Sequence, residues 1–334
     1  MKYRTMGKTG LRVSEVGFGC GSIGGLMVRG SHKEQVEAVE LALNLGINYF
    51  DTAPSYGDGR SETNLGRVLS ELKPEIVLAS KVGLPMEQLG NIPGAVERSV
   101  EASLNRLKRD HVDVIQLHSR IASTRDSSEW PGALSLKDVL GENGVADAFD
   151  RLRRRGKTRF TGFTGLGEGA ALHKVVESKR FDVVQTYFNL LNPSAGHRVP
   201  DGFRGYDFQQ LIEKAGGGGM GVVAIRVMAA GAVGGRQSRE GYAAPSVGSP
   251  MVSGGEYDRY ENRSSRLRFL FQDDTQSLPQ AALRFVLMHQ GVSTALVGFS
   301  NLNQIKESVD AVGLRPLSRS QLSTLQDLWS QSTW

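Results

Sequence analysis

The feature that most limits what this chain can fold into is a repeated alternation. Short apolar runs are followed by amphipathic helical stretches, and the pair recurs eight times. A chain of successive βα units builds a parallel sheet with helices outside it. The expected strands are Glu15–Gly19, Ile47–Thr52, Ile76–Ser80, Val112–Leu117, Phe160–Thr164, Val183–Tyr187, Val222–Ile225 and Thr294–Val297. The expected helices are Lys33–Leu45, Ser61–Leu72, Pro93–Leu107, Val145–Arg155, Gly169–Ser178, Phe208–Ala215, Pro279–Met288 and Leu302–Val312. Ser31, with Glu34 three residues on, reads as a capping box for the first helix. Eight units favour closure into a (β/α)8 TIM barrel over an open sheet. Tyr3–Thr5 and Leu11–Val13 around a Gly7–Gly10 turn read as an opening hairpin.

The length of 334 residues fits one barrel domain over 1–334 with two long excursions, 119–143 and the Gly/Ser/Pro-rich 229–264. Excursions of that length exceed ordinary connections and are candidates to shape the barrel mouth, the second as a lid or substrate loop. A net charge of +5, dispersed along the chain, argues against a nucleic-acid partner. Cys20 is the single cysteine, so no intramolecular disulfide or cysteine metal cluster is expected. The six histidines show no metal-ligand spacing, so no metal is expected. The N-terminus lacks the apolar core of a signal peptide, and no apolar run is long enough for a membrane span. A cytoplasmic protein without a membrane partner is the expectation, and the sequence carries no signal of oligomeric state.

Two glycine-rich runs invite phosphate-binding readings. Gly19-Cys20-Gly21-Ser22-Ile23-Gly24 matches G-x-G-x-x-G after a strand. Residues 25–30 then delay the next helix, whereas a dinucleotide fingerprint opens directly into one. A mouth loop that lets cofactor or substrate approach the backbone fits better. Gly216–Gly219 lacks the Lys-Ser/Thr ending of a phosphate loop and reads as a helix C-cap and link.

Chemistry gathers at strand C-ends. Asp51 and Tyr56 follow one strand, Lys81 the next and His118 the one after. In a parallel barrel these ends share one mouth, where catalytic groups collect. An acid, a phenol, an ammonium and an imidazole together suit proton donation to a carbonyl oxygen while another agent delivers hydride.

These residues give the chain its resemblance to the aldo-keto reductase family. Phe50-Asp51-Thr52-Ala53-Pro54-Ser55-Tyr56-Gly57, Ser80-Lys81-Val82-Gly83 and Gln116-Leu117-His118 are similar to the family's catalytic motifs. Gly162–Gly165, Val184–Tyr187 and Gly298–Asn301 fall where that family grips a nicotinamide dinucleotide. The resemblance implies an NAD(P)-dependent enzyme interconverting an aldehyde, ketone or aldose with an alcohol. Tyr56 is then the general acid and base, with Lys81 favouring its phenolate by roughly 1.4–4 kcal/mol. Asp51 holds Lys81, and His118 orients the carbonyl. The implied cofactor contacts are Gly19, Cys20, Gly21, Asp51, Thr164, Gly165, Gln185, Ile225, Arg226, Gly298, Ser300, Asn301, Gln304, Glu307 and Ser308. Gln185 and Thr164 would meet the carboxamide, the helix after Ser300 the phosphates, and Glu307 and Ser308 the adenosine. Gly165 replaces a usual Asn, and Ile225 a frequent stacking aromatic. Ser300, Asn301 and Gln304 offer no arginine for a 2′-phosphate, so NAD stands beside NADP. Arg226 suits a cofactor phosphate, an anionic substrate or a structural ion pair. The partner is a small carbonyl or alcohol. A second reading is a nicotinamide-binding regulatory subunit with little turnover.

Overall fold

A computed structural model describes residues 1–234, 241–244, 257–271 and 275–331. The chain opens with the expected hairpin, β1 (Tyr3–Thr5) and β2 (Arg12–Ser14), which pairs Tyr3 with Ser14. Then come β3 (Val16–Gly19), β4 (Tyr49–Asp51), β5 (Val77–Val82) and β6 (Val112–Leu117). A short separate pair, β7 (Ile121–Ala122) and β8 (Leu134–Ser135), precedes β9 (Thr158–Thr164), β10 (Val183–Tyr187), β11 (Gly221–Ile225) and β12 (Thr294–Gly298). Strands β3 to β6 and β9 to β12 are mutually parallel and close into a barrel, with β12 bonded back to β3. This is the (β/α)8 architecture the alternation predicts.

Helices wrap the outside: α1 (Leu26–Arg29), α2 (His32–Asn44), α3 (Arg60–Leu72), α4 (Ile92–Leu107), α5 (Leu136–Leu140) and α6 (Val145–Arg154). They continue as α7 (Gly169–Glu177), α8 (Leu211–Gly217), α9 (Tyr257–Ser265), α10 (Leu278–Leu287), α11 (Leu302–Asp310) and α12 (Arg319–Ser330). Local signals set their starts. Ser31 and Glu34 form the expected capping box of α2, and Ser318 with Gln321 forms another on α12. Asn91 and Ser277 cap α4 and α10, each followed by a proline in the first turn, where a missing N–H costs nothing.

Two apolar layers result. Outside the barrel, strand residues meet the inner faces of the helices in one continuous core. Inside it, Tyr49, Val77, Ala79, Val114, Val183 and Val223 pack on Met6, Leu11 and Val13 of the hairpin, which plugs the N-terminal end. The C-terminal end stays open for chemistry.

Several expectations need correction. Residues 119–143 are not a bare excursion, because β7, β8 and α5 give the segment its own pairing and cap. A one-turn helix, α1, stands where the glycine-rich run was expected to delay helix formation. Gly24 explains that run: a Cβ there would lie 2.5 Å from the Phe299 nitrogen. Its role is close backbone packing against the end of β12. Gly216 and Gly217 belong to α8, with Gly218 as its C-cap. In 229–264 the chain forms tight turns at Ala229–Gly234 and the start of α9, while 235–240 and 245–256 lie outside the described residues. Helix α12 was not anticipated. Among the described residues no helix is long and apolar enough to cross a membrane, and no cluster of three or more His, Cys, Asp or Glu could hold a metal ion.

Candidate active site

Strand alternation builds the site. Side chains two residues apart share a face, so the interior series run Tyr49 to Asp51, Val77 to Ala79 to Lys81, and Val114 to Gln116 to His118. On the far side they run Val183 to Gln185 to Tyr187, and Val223 to Ile225. The lower members form the apolar plug. The upper members, polar except for Ile225, face the mouth.

At the centre, the Asp51 carboxylate accepts from three donors. Lys81 Nζ pairs with Oδ1, while Gln185 Nε2 and Gln116 Nε2 reach Oδ2 at 2.6 and 3.2 Å. Lys81 and Asp51 are each 1 % exposed. Lys81 also donates to the Thr52 carbonyl at 2.8 Å. Three N–H donors converging on one carboxyl favour its ionised form. Burial opposes the Lys81 charge, but Asp51 and Tyr56 outweigh it and raise the ammonium's pKa. Burial also raises the pKa of Asp51, against the pull of Lys81 and the two amides.

Tyr56 sits in the loop after β4, where Gly59 N–H bonds the Pro54 carbonyl and Ser61 N–H bonds the Tyr56 carbonyl. Ser61 Oγ bonds both Thr52 Oγ1 and the Cys20 carbonyl, which fixes the loop to β3 and β4. The Tyr56 ring centroid lies 4.9 Å from Lys81 Nζ and 5.9 Å from the His118 ring, which meets it edge-on at 90°. The four expected residues therefore converge. The direction of the phenol's pKa differs from expectation. Burial raises it above the ordinary tyrosine value, and Lys81 opposes the rise without reversing it. His118 is pushed down to about 3 by burial, Lys81 and Arg226, so its imidazole is neutral at neutral pH.

A cavity of about 760 Å³ runs from this cluster across the mouth to α11. At the near end it is lined by Gly19, Gly21, Asp51, Tyr56 and His118, then by Thr164, Gln185, Ile225 and Arg226. At the far end the expected residues Gly298, Ser300, Asn301, Gln304, Glu307 and Ser308 all line it. Asn301 caps α11 by accepting from Gln304 N–H at 3.1 Å, and Gln304 Oε1 accepts from Ser300 N–H at 2.8 Å. Glu307 is held by the Ser277 hydroxyl.

Two expected cofactor contacts lie elsewhere. Cys20 is 1 % exposed in the outer core, and its thiol pKa is raised by burial and by Asp51. Gly165 does not line the cavity. Its N–H is spent on the Gln185 carbonyl at 2.6 Å, and a Cβ would stand 3.0 Å from Leu211. Gln116 carries no role in the sequence reading, yet it braces Asp51. Its position two residues before His118 on β6 is the signal that finds it. Leu166, Tyr187, Met228 and Leu296 also line the cavity beyond the sequence reading.

Comparison with known proteins finds similarity over nearly the whole chain. The profile of the Aldo/keto reductase family matches residues 15–330. The chain is 28 % identical over 317 residues to L-galactose dehydrogenase of Arabidopsis thaliana, covering 93 % of this chain and 88 % of that protein. It is 25 % identical over 370 residues to L-glyceraldehyde 3-phosphate reductase of Escherichia coli K12, covering 100 % and 96 %. Among solved structures, an aldo-keto reductase of Bacillus halodurans in its holo form superposes with a TM-score of 0.72 at 26 % identity, covering 99 % and 97 %.

Proposed function

The chain belongs to the aldo/keto reductase family of oxidoreductases, and on that premise we propose that it interconverts a small carbonyl compound and its alcohol with a nicotinamide cofactor, Tyr56 moving the proton. The observation that carries the reading is the convergence of Tyr56, His118 and the buried Lys81–Asp51 pair at one end of a long cavity. Tyr56 and His118 are the polar pair at its near wall. A protonated phenol and a neutral imidazole together bind a carbonyl oxygen and stabilise negative charge as it develops there.

The walls fit a nicotinamide dinucleotide. Thr164 Oγ1 is buried, faces the cavity and has no hydrogen-bond partner, and its register partner across the strands is Gln185. An orphaned hydroxyl beside an amide suits a carboxamide. The α11 N-terminus at the far end suits phosphate oxygens, and Ser308 and Glu307 lie one to two turns further on. When bound there, the reduced nicotinamide supplies the hydride. Tyr56 donates its proton to the carbonyl oxygen, and Lys81, held charged by Asp51, stabilises the phenolate that remains. In the alcohol-oxidising direction that phenolate accepts the proton.

Replacing Tyr56 with Phe tests the assignment. Carbonyl turnover is expected to fall by at least ~10²-fold, the lower end of general acid–base contributions, while NADH or NADPH affinity, read by fluorescence titration, is retained. Turnover like that of the parent protein would remove Tyr56 from the proton path. Tight cofactor binding without hydride transfer to any aldehyde or ketone in the parent protein would favour a regulatory role.

A further inference from the structure

Arg226 follows β11 directly and holds a left-handed backbone with φ 55°. A side-chain-bearing residue is strained in that region and persists there only when its surroundings impose it. Here they do. The Arg226 carbonyl accepts from Asn189 Nδ2 at 2.9 Å and from Ala229 N–H at 2.7 Å. The guanidinium is thereby directed into the cavity wall, 5.8 Å from the centroid of the Tyr187 ring.

One of its nitrogens, Nη1, is buried and has no hydrogen-bond partner. Among the described residues Arg226 forms no ion pair, and the two carboxylates lining the cavity are engaged elsewhere, Asp51 with Lys81 and Glu307 with Ser277. Leaving a charged donor unanswered in a buried setting is costly, so the arrangement calls for an acceptor from outside the chain. The location narrows its source. The charge of Arg226 is felt by both the Tyr56 phenol and the His118 imidazole, the pair assigned to the carbonyl oxygen. The features suited to cofactor phosphates lie at the opposite end, at α11.

We propose that Arg226 is a specificity-determining residue that receives an oxyanion carried by the carbonyl substrate, so that the preferred substrates are small aldehydes or ketones bearing a carboxylate or phosphate. This rests on the carbonyl-reducing reading above. The planar guanidinium fork matches carboxylate and phosphate oxygens, and the Tyr187 ring backs it. A neutral aldehyde leaves Nη1 unanswered.

The test compares paired substrates with the full-length protein: succinic semialdehyde against butanal, and glyceraldehyde 3-phosphate against glyceraldehyde. The anionic member of each pair is expected to show at least ~10-fold higher kcat/KM, the effect of one charge-assisted hydrogen bond. Arg226→Met should collapse that ratio by a similar factor, and Arg226→Lys should restore part of it. An unchanged ratio in Arg226→Met overturns the proposal. So does an equal fall for all four substrates with weakened NADH and NADPH binding, which would put the guanidinium on the dinucleotide. A readout without turnover separates this from the catalytic reading: calorimetric titration of the enzyme–cofactor complex with butyrate and with butyramide. Tighter butyrate binding that Arg226→Met abolishes supports the proposal even if no carbonyl is reduced. Equal binding of the two ligands to the parent protein overturns it even if hydride transfer is normal.

Discussion

A protonated phenol and a neutral imidazole can each donate a hydrogen bond to a carbonyl oxygen, and burial favours both of those forms at the scale of single residues. His118, pushed down to about 3, carries no charge through the neutral range. Tyr56, raised above its ordinary value, keeps its proton there. The rate of carbonyl reduction is therefore expected to be level across roughly pH 5–8 and to fall only at alkaline pH, as the phenol loses the proton it must donate. A pH profile of kcat/KM checks this. An inflection near ~6.5, the ordinary imidazole value, that disappears in His118→Phe would show that His118 acts as a charged donor. The identities of Asp51, Tyr56, Lys81 and His118 were legible because each stands at or just beyond an apolar run. The phenol's protonation balance was not legible, because it depends on how much water the fold removes. Gln116 was hidden for a related reason: its amide matters only through Asp51, 65 positions away.

At the scale of elements, the distance between the Tyr56 loop and the Lys81 strand is set by a buried carboxylate that does no chemistry. Glu62 lies in the first turn of α3, just after that loop, and its side chain is fully buried. It accepts from Ser80 Oγ at 2.6 Å, on the residue before Lys81, and from Arg106 Nε on α4 at 2.7 Å. Arg106 also reaches Ser103 Oγ at 3.2 Å. Removing Arg106 leaves a buried charge with one neutral donor. Arg106→Ala is therefore expected to cost about 2–3 kcal/mol, read as a lower urea midpoint, and a midpoint equal to that of the parent protein would contradict the bracing role. The eight βα units were legible because short apolar runs alternate with amphipathic helical stretches along the chain. The inner order of 119–143 was not, since β7 and β8 are two residues each and are held by pairing across twelve intervening residues. Helix α12 follows the eighth unit, where the repeat no longer asks for another element.

For the whole molecule, that last helix brings a pH dependence of its own. Trp329 of α12 donates to the Leu190 carbonyl at 2.9 Å and stacks on His197 with ring centroids 6.1 Å apart. Phe188, Phe285 and His289 complete the ring cluster around that histidine. His197 Nε2 is buried without a partner. His289 accepts from Gly291 N–H on Nδ1 and meets the Gly196 carbonyl and Glu213 through Nε2, so it has no acceptor to offer its neighbour. Burial and His289 push the His197 pKa down to about 4, and Glu213 opposes them weakly. The unfolded chain, with an ordinary imidazole near ~6.5, then binds the proton more readily than the folded one. This contribution to stability is fully present above pH ~6.5, shrinks as the pH falls, and is gone once the folded-state value is passed. Integrated over that interval it is worth roughly 3 kcal/mol. His197→Phe keeps a ring in the cluster and removes the titration. Urea unfolding of both proteins from neutral pH down to the folded-state value should show the parent losing stability faster than the variant. Parallel curves would mean that the docking of α12 is indifferent to this proton.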